Sequence, residues 1–368
     1  YRVNFIRPYW VNFTVFSIKK EDLMGKVVGI GGGNVAILDD RKTFKILAID
    51  GGGIKGLYSS TILEHLEEKY NCSISDHFDM ICGTSTGGLI ALALSLKVPA
   101  KEISEFYMKK GSAIFPYRPI RNFLGQILWG GKFSDKALRS ALEEIFQDRK
   151  IEDSNNLLCI PTYSITDARP WVFKYDHKEG KLDRDNKAKY VDVALATSAA
   201  PTYLPLCEIE VYDKKQFIDG GVWANNPTLV GLIEALHYFV GKQKEFKDIQ
   251  ILSLSSLTLS GGKPIGLNRH RSFVKWRSDL FDTFNTGQSL FSDYFMKCAT
   301  KFNDVKIEYH RIPSETISSD QERLVQMDKA TKKALDFIRG KGNDRGEHCK
   351  KDEDIAKFFS TPKTYKTK

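Results

Sequence analysis

Apolar and polar residues alternate along the 368-residue chain with two different periods. Short, nearly continuous apolar runs predict buried strands, whereas longer stretches with apolar residues three and four positions apart predict amphipathic helices. The predicted strands cover 44–49, 78–82, 156–163, 171–175, 216–218, 249–255 and 305–312. The predicted helices cover 57–70, 86–96, 100–112, 134–148, 190–198, 228–240, 273–301, 325–338 and 352–359.

The order of these elements predicts the fold class and the domain organisation. Strands and helices alternate from residue 44 onward, which is typical of an α/β protein with a central, mostly parallel sheet. We expect one domain over 44–312, followed at 313–368 by a helical C-terminal extension that packs on the same domain. Within that extension, 340–351 is expected to be a charged linker. Residues 1–43 are expected to form a leader segment or a hairpin whose role the pattern does not define.

Composition and charge narrow the classes of protein and of partner. The chain is 42% hydrophobic and 27% charged, as a folded globular protein is. The 55 Lys and Arg residues exceed the 46 Asp and Glu residues, giving a net charge of +9 that favours phospholipid surfaces, nucleotides or nucleic acid. The six cysteines form no C-x-x-C pair, so we expect reduced thiols in a cytosolic protein. No apolar run reaches transmembrane length, and no signal peptide is predicted.

A candidate nucleophile lies in the turn Gly83-Thr-Ser85-Thr-Gly87-Gly, between the second predicted strand and the helix after it. Gly83, Ser85 and Gly87 form the pattern G-x-S-x-G, which places a serine at the apex of a sharp strand–turn–helix connection. The N-terminus of the following helix favours negative charge at that serine. An ordinary turn before a helix would use the same residue types, so this motif alone leaves both interpretations open.

A second motif is the loop Asp50-Gly-Gly-Gly-Ile-Lys-Gly56, between the first strand and the first helix. Its glycines match the dinucleotide-binding pattern G-x-G-x-x-G, but the next strand does not end in the acidic residue that would hold a ribose. Alternatively, the backbone N–H groups of Gly51, Gly52 and Gly53 can form an oxyanion hole for a developing alkoxide. Beside a G-x-S-x-G turn, we favour the oxyanion hole and keep nucleotide binding at Gly51–Gly56 as an alternative.

A serine nucleophile requires a base, which is a histidine in the familiar triad. His237 lies within a predicted helix and His270 among polar residues, so neither occupies the end of a strand. Asp219 does end a strand, and Gly220 after it allows close approach of a ligand. A carboxylate can accept the serine proton directly or through water. A Ser-His-Asp carboxylesterase using His237 or His270 stays open as an alternative at this point.

The three motifs, in this order along the chain, resemble the patatin-like phospholipase family, as does the segment Ala199-Ala-Pro-Thr-Tyr203 before the aspartate. The resemblance implies a three-layer patatin-like acyl hydrolase fold and a Ser–Asp dyad with no catalytic histidine. In that dyad Ser85 is the acyl nucleophile and Asp219 the general base, without a cofactor or metal. The residues expected to support the motifs are Asp50, Lys55, Gly56, Gly83, Gly87 and Gly220, with Lys55 ordering the glycine loop or offsetting its charge.

A looser resemblance is to the bacterial subgroup of cyclic-dinucleotide-activated phospholipases that act in antiviral defence. It implies a membrane phospholipid as substrate, a cyclic dinucleotide as activator, a homo-oligomeric assembly and no nucleic-acid partner. It also implies a cytoplasmic protein in peripheral contact with the inner face of the membrane. Arg269, Arg271, Lys275 and Arg277 could bind an anionic regulator, although a solvated helix start is the simpler interpretation.

Overall fold

The computed structural model describes residues 42–116, 133–258, 265–266, 269–270, 273–301 and 305–367, without the side chains of 273–275, 277–279 and 319. Of the N-terminal leader predicted over 1–43, residues 1–41 lie outside the described residues, and Thr43 already belongs to the first strand. The side chains of Arg271, Lys275 and Arg277 in the basic group proposed for a regulator also lie outside the described residues.

A mixed central sheet with flanking helices confirms the predicted α/β class. Its strands are β1 Thr43–Ile49, β2 Met80–Gly83, β3 Leu157–Ser164, β4 Arg169–Lys174, β5 Cys207–Ile209, β6 Lys215–Asp219, β7 Asp248–Leu254 and β8 Lys306–Ile312. The strands β3, β2, β1, β7 and β8 run parallel, whereas β4, β5 and β6 pair antiparallel at one side. Residues Phe44–Ile49 of β1 are buried throughout, because helices cover both faces of a central parallel strand.

The helices follow the predicted periodicity in the first two thirds of the chain. They are α1 Gly56–Tyr70, α2 Thr86–Ser95, α3 Ala100–Ile114, α4 Lys136–Phe146, α5 Tyr190–Ser198, α6 Gly221–Ala224, α7 Thr228–Glu234, α8 Phe273–Ala299, α9 Lys332–Cys349 and α10 Glu353–Phe359. A π-helical turn, Ala235–Phe239, continues α7 over the rest of the predicted helix. No helix in the described ranges is long and apolar enough to cross a bilayer.

The C-terminal part corrects two predictions. The predicted helix over 325–338 is wrong, because α9 begins only at Lys332, after Thr331 caps it by accepting a hydrogen bond from the Ala334 N–H. The predicted linker over 340–351 is wrong as well, since most of it is helical. The glycines in this segment suggested a linker, but Gly342 packs against α1. A Cβ at this position would lie 2.7 Å from Thr61 Cβ on α1. Small residues let α9 approach α1 closely, and this packing outweighs low helix propensity.

Strand β3 brings the candidate nucleophile, Ser85, and the candidate base, Asp219, close together. One edge of β3 pairs with β4, because Cys159–Ser164 lie opposite Arg169–Lys174. Its other edge pairs first with β2, over Leu157–Cys159, and then with β6, over Thr162–Ser164. Strands β2 and β6 therefore run towards each other along one edge of β3. The first ends just before the candidate nucleophile, and the second ends at the candidate base.

Candidate active site

Ser85 lies at the apex of the turn between β2 and α2. Its backbone angles are φ 55° and ψ −126°, a region that non-glycine residues rarely occupy. Two side chains hold this strained turn in place: the Ser85 N–H donates to Thr197 Oγ1 at 3.0 Å, and Thr84 Oγ1 donates to the Ala224 carbonyl at 2.6 Å. Gly83 ends β2, and the Gly87 N–H donates to the Thr84 carbonyl at 2.8 Å. This is the geometry of a nucleophile elbow.

Asp219 is the last residue of β6, level with Thr162 of β3. Its backbone N–H donates to the Ala199 carbonyl at 2.9 Å, and the Gly220 N–H donates to the Thr197 carbonyl at 3.3 Å. Asp219 Oδ1 accepts a hydrogen bond from the Gly221 N–H at 2.7 Å. Its other oxygen, Oδ2, is buried without a hydrogen-bond partner among the described residues. One carboxylate oxygen thus orients the group, and the other is available to accept a proton.

The environment of Asp219 adjusts the pKa of its carboxyl group. Burial raises the pKa from 3.8 to about 7, while the nearby Ser85 hydroxyl and the Gly221 N–H oppose that rise. The Ser85 hydroxyl is therefore close enough to act on the carboxyl, although the two groups do not form a hydrogen bond of normal geometry. Catalytic hydrogen bonds in unliganded enzymes are often long and shorten in the substrate complex. A carboxyl with a pKa near 7 is suited to act as a base at neutral pH.

The glycine loop after β1 lies against the serine turn. A Cβ placed on Gly51 would be 3.2 Å from Ser85 Cβ, which shows how closely the two segments pack. The Gly51 N–H donates to the Asn225 carbonyl at 3.0 Å and is therefore engaged. Among the described residues, no hydrogen-bond acceptor is found for the N–H groups of Gly52 and Gly53. Of the three predicted oxyanion donors, Gly52 and Gly53 are thus the two that remain available.

Residues from the C-terminal part close over this loop. Gly53 has φ 61°, and a Cβ there would lie 2.3 Å from the Met327 carbonyl oxygen, so only glycine fits. The Met327 carbonyl also accepts a hydrogen bond from the Ile54 N–H at 2.8 Å. The extension at 313–368 therefore contributes to the site. Sequence analysis missed this contribution, because the pattern around Val325 suggested a helix instead.

A buried ion pair anchors the start of the glycine loop. Arg311, near the end of β8, contacts both carboxylate oxygens of Asp50, with Nη2–Oδ2 at 2.6 Å and Nη1–Oδ1 at 3.2 Å. Arg311 Nη1 also donates to Ser253 Oγ at 2.6 Å. Burial raises the pKa of Asp50, and Arg311 opposes that rise. The carboxyl ends of β1, β7 and β8 meet here, so parallel strand order could have indicated this pairing.

Lys55 and Gly56 join the loop to α1. Lys55 is buried, and this burial lowers the pKa of its ammonium group, whereas Asp282 on α8 raises it. Gly56 is the first residue of α1, and a Cβ there would lie 2.6 Å from the Tyr107 hydroxyl. Both residues thus lie where the loop turns into the helix; that they support the motif stays a prediction.

An apolar cavity opens from Ser85 and holds about 580 Å³ of empty space, part of which is open to solvent. Ser85, Thr86 and Gly53 lie at its polar end. The rest of its lining is mainly apolar and includes Leu89, Phe106, Ile114, Phe115, Leu138, Ala200, Tyr203 and Leu204. Such a shape suits a long hydrocarbon chain whose reactive end lies at the serine.

The histidines considered as alternative bases are not found in this cavity. His237 is exposed on the π-helical turn and contacts the ring of Tyr238, and His270 is also exposed. None of the described residues lining the cavity is a histidine. The nucleotide-binding alternative loses support too, because the loop packs on Ser85 and under Met327.

The fold and the site together define an α/β protein that has a strained serine, a buried carboxylate and an apolar cavity where β2 and β6 end. The profile of the patatin-like phospholipase family matches residues 47–232, and the chain belongs to this family. Membership implies a lipid acyl hydrolase.

Curated relatives agree with the family assignment. The chain is 33% identical to a cGAMP-activated phospholipase of Pseudomonas aeruginosa, over 82% of this chain and 87% of that protein. It is 28% identical to a cGAMP-activated phospholipase of Vibrio cholerae, over 86% of this chain and 95% of that protein. It is 30% identical to patatin-like protein 2 of Arabidopsis thaliana, over 81% and 82% of the two chains.

Proposed function

We propose that the protein hydrolyses the fatty-acyl esters of membrane phospholipids, a phospholipase A-type reaction, through an acyl-enzyme on Ser85. The observation that carries the proposal is the convergence of three groups at one point. A strained serine, an unpartnered carboxylate oxygen of Asp219 and the polar end of an apolar cavity all meet there. The cavity receives the acyl chain, and the carbonyl carbon comes to rest beside Ser85 Oγ.

The proposed reaction uses one carboxylate as the base in both half-reactions. Asp219 Oδ2 takes the proton of Ser85 as Oγ bonds to the acyl carbonyl carbon. The N–H groups of Gly52 and Gly53 stabilise the resulting oxyanion, with help from the N-terminus of α2. The tetrahedral intermediate collapses, the bond to the glycerol oxygen breaks, and protonated Asp219 returns the proton to this leaving oxygen. Asp219 then deprotonates a water molecule, which attacks the carbonyl carbon of the acyl-enzyme. The bond from that carbon to Ser85 Oγ breaks, protonated Asp219 returns the proton to Oγ, and the fatty acid leaves.

For regulation, we propose activation by a cyclic dinucleotide in bacterial defence against phage. The support is the similarity to two relatives named cGAMP-activated phospholipases, which extends over more than four fifths of this chain. The proposal includes peripheral contact with the cytoplasmic membrane face and a homo-oligomeric active form, and it includes no nucleic-acid partner.

The test is fatty-acid release from mixed phospholipid liposomes, with and without a panel of cyclic dinucleotides. Ser85→Ala and Asp219→Ala should each abolish release, whereas His237→Ala and His270→Ala should retain it. Ser198→Ala is a matched control, because Ser198 lines the same cavity. A fluorophosphonate should label the wild type and Ser198→Ala but not Ser85→Ala.

Each part of the proposal can fail separately. Near-normal turnover by Asp219→Ala would eliminate the dyad, and labelling that survives Ser85→Ala would eliminate the nucleophile. Release that no cyclic dinucleotide changes would eliminate the proposed activator while leaving the hydrolase intact.

A further inference from the structure

Helix α8, the longest in the part of the chain that the structure describes, has an apolar face that is exposed to solvent. Phe284, Leu290, Phe291, Tyr294 and Phe295 are each between 39% and 68% exposed. At 100° per residue these five side chains fall within about 140° of the helix circumference. We call this group the outer face of α8. Exposed apolar side chains that occur singly are ordinary, but five on one face of a helix indicate a contact surface.

The opposite face of α8 packs directly on the segment that carries the catalytic carboxylate. Ser289 Oγ accepts a hydrogen bond from Asn225 Nδ2 at 2.9 Å, and Gln288 Oε1 accepts one from the Asn226 N–H at 3.0 Å. A Cβ on Gly221 would lie 3.1 Å from Asn285 Oδ1. One helix thickness therefore separates the outer face from the loop after Asp219. Whatever binds the outer face is held beside the catalytic centre.

The segment that leads into α8 adds positive charge. The sequence from 269 to 277 reads RHRSFVKWR, with three Arg and one Lys in nine residues, and Arg269 is exposed. The whole chain carries a net charge of +9. A basic segment beside an aromatic, amphipathic helix face is the combination that binds anionic lipid surfaces. Repulsion between two copies that each carry a net charge of +9 also disfavours a second copy of this chain as the partner of the outer face.

We propose that the outer face of α8 is the surface through which the protein docks on an anionic phospholipid bilayer. This inference rests on the proposed function, since a bilayer is where that substrate resides. The aromatic side chains enter the boundary between headgroups and acyl chains, while the exposed Arg269 contacts anionic headgroups. Docking in this orientation puts the loop after Asp219 next to the membrane surface, so a lipid has a short path to Ser85.

Vesicle binding of Phe291→Ser/Tyr294→Ser tests the proposal. The matched control is Ile165→Ser/Val211→Ser, which removes two exposed apolar side chains next to β5 and β6. Wild type and control should sediment with phosphatidylglycerol/phosphatidylcholine vesicles, less with pure phosphatidylcholine, and less at high salt. The outer-face variant should bind about tenfold more weakly or worse, because two large apolar side chains no longer transfer from water into the lipid. Phe284→Ser provides a second variant.

Measurements of hydrolysis distinguish a failure of the docking surface from a failure of the proposed phospholipase function. The outer-face variant should release much less fatty acid from vesicles but cleave a soluble short-chain ester at the wild-type rate. If the wild type binds vesicles but cleaves no ester, the proposed function fails and the docking surface stands. If the variant binds and hydrolyses vesicles like the control, the docking surface fails and the proposed function stands.

Two solution measurements test whether another part of the chain or a second copy of the protein covers the outer face. Hydroxyl-radical footprinting should find Phe291 and Tyr294 reactive in the free protein and protected by anionic vesicles. Protection in the free protein would overturn the proposal, because another part of the chain or a second copy would then cover the face. Sedimentation velocity distinguishes these two, since Phe291→Ser/Tyr294→Ser would dissociate an oligomer built on this face.

Discussion

Replacing Asp219 by Asn should make the protein inactive and, above neutral pH, more stable. The side chain is buried, and one of its oxygens has no hydrogen-bond partner among the described residues. A negative charge in that position is unfavourable for folding. Asn keeps the shape of the side chain and its acceptor for the Gly221 N–H, but it removes the charge.

The size of the effect follows from the pKa. Burial raises the pKa of Asp219 from 3.8 to about 7. The folded protein therefore binds the proton more tightly than the unfolded chain does. Folding loses stability as the pH rises from 3.8 through about 7, and above that range the loss amounts to about 4 kcal/mol. The new amide N–H₂ places a donor where Oδ2 lacked a partner, which offsets about 1–3 kcal/mol of the gain. We expect a net gain of about 1–3 kcal/mol at pH 8.5 and none at pH 4.

Urea unfolding of wild type and Asp219→Asn at pH 4, 6 and 8.5 measures this difference. Ser85→Ala is the matched control, because it also removes the activity but leaves the buried charge in place. The reasoning is refuted if Asp219→Asn is no more stable than wild type at pH 8.5. It is also refuted if the difference between the two proteins is the same at every pH.

Three further predictions concern the ion pair, the α1–α9 contact and the cavity. Arg311→Met should lower the free energy of unfolding by about 3–5 kcal/mol, because it leaves a buried carboxylate unpaired; a loss under about 1 kcal/mol in urea unfolding would contradict this. Gly342→Ala should destabilise by about 1–3 kcal/mol through overpacking. Gly340→Ala, which has open space around it, should be neutral or stabilising by up to about 1 kcal/mol; equal thermal shifts for the two would count against the packing argument. Ala200→Phe should reduce kcat/KM for a long-chain ester far more than for a short-chain ester, and a uniform loss would show that the cavity does not hold the chain.

Sequence reasoning recovered the parts of the protein that depend on local patterns. The apolar run before Ser85, the glycines around it and the strand ending at Asp219 predicted the elements that carry these residues. Each of these signals is contained within about ten neighbouring positions, so it can be read without the fold. That Ser85 and Asp219 act as a dyad stays a prediction, for which the structure supplies the proximity.

The contacts that hold the site together depend on positions far apart in the chain. Arg311 follows Asp50 by 261 residues, and only the parallel order β1–β7–β8 brings them together. Met327 and Thr197 likewise act through single contacts with the glycine loop and the serine turn. The pattern of apolar and polar residues does not indicate which distant residues come into contact. The glycines of α9 led to the wrong prediction of a linker for a related reason. Their small size allows close packing against α1, and the periodicity of apolar residues does not report such packing.

The pKa of Asp219 links two measurements that are otherwise independent. The pH dependence of kcat/KM reports ionisation of the free enzyme, so it should rise with pH through about 7 as Asp219 becomes a carboxylate able to accept the serine proton. The stability difference between wild type and Asp219→Asn reports the same ionisation without any substrate, and it should reach its plateau as the pH passes that value. Agreement between the midpoint of kcat/KM and the pH at which the stability difference levels off identifies the base as Asp219. If kcat/KM instead rose with a midpoint well away from that pH, a different group would be accepting the proton from Ser85.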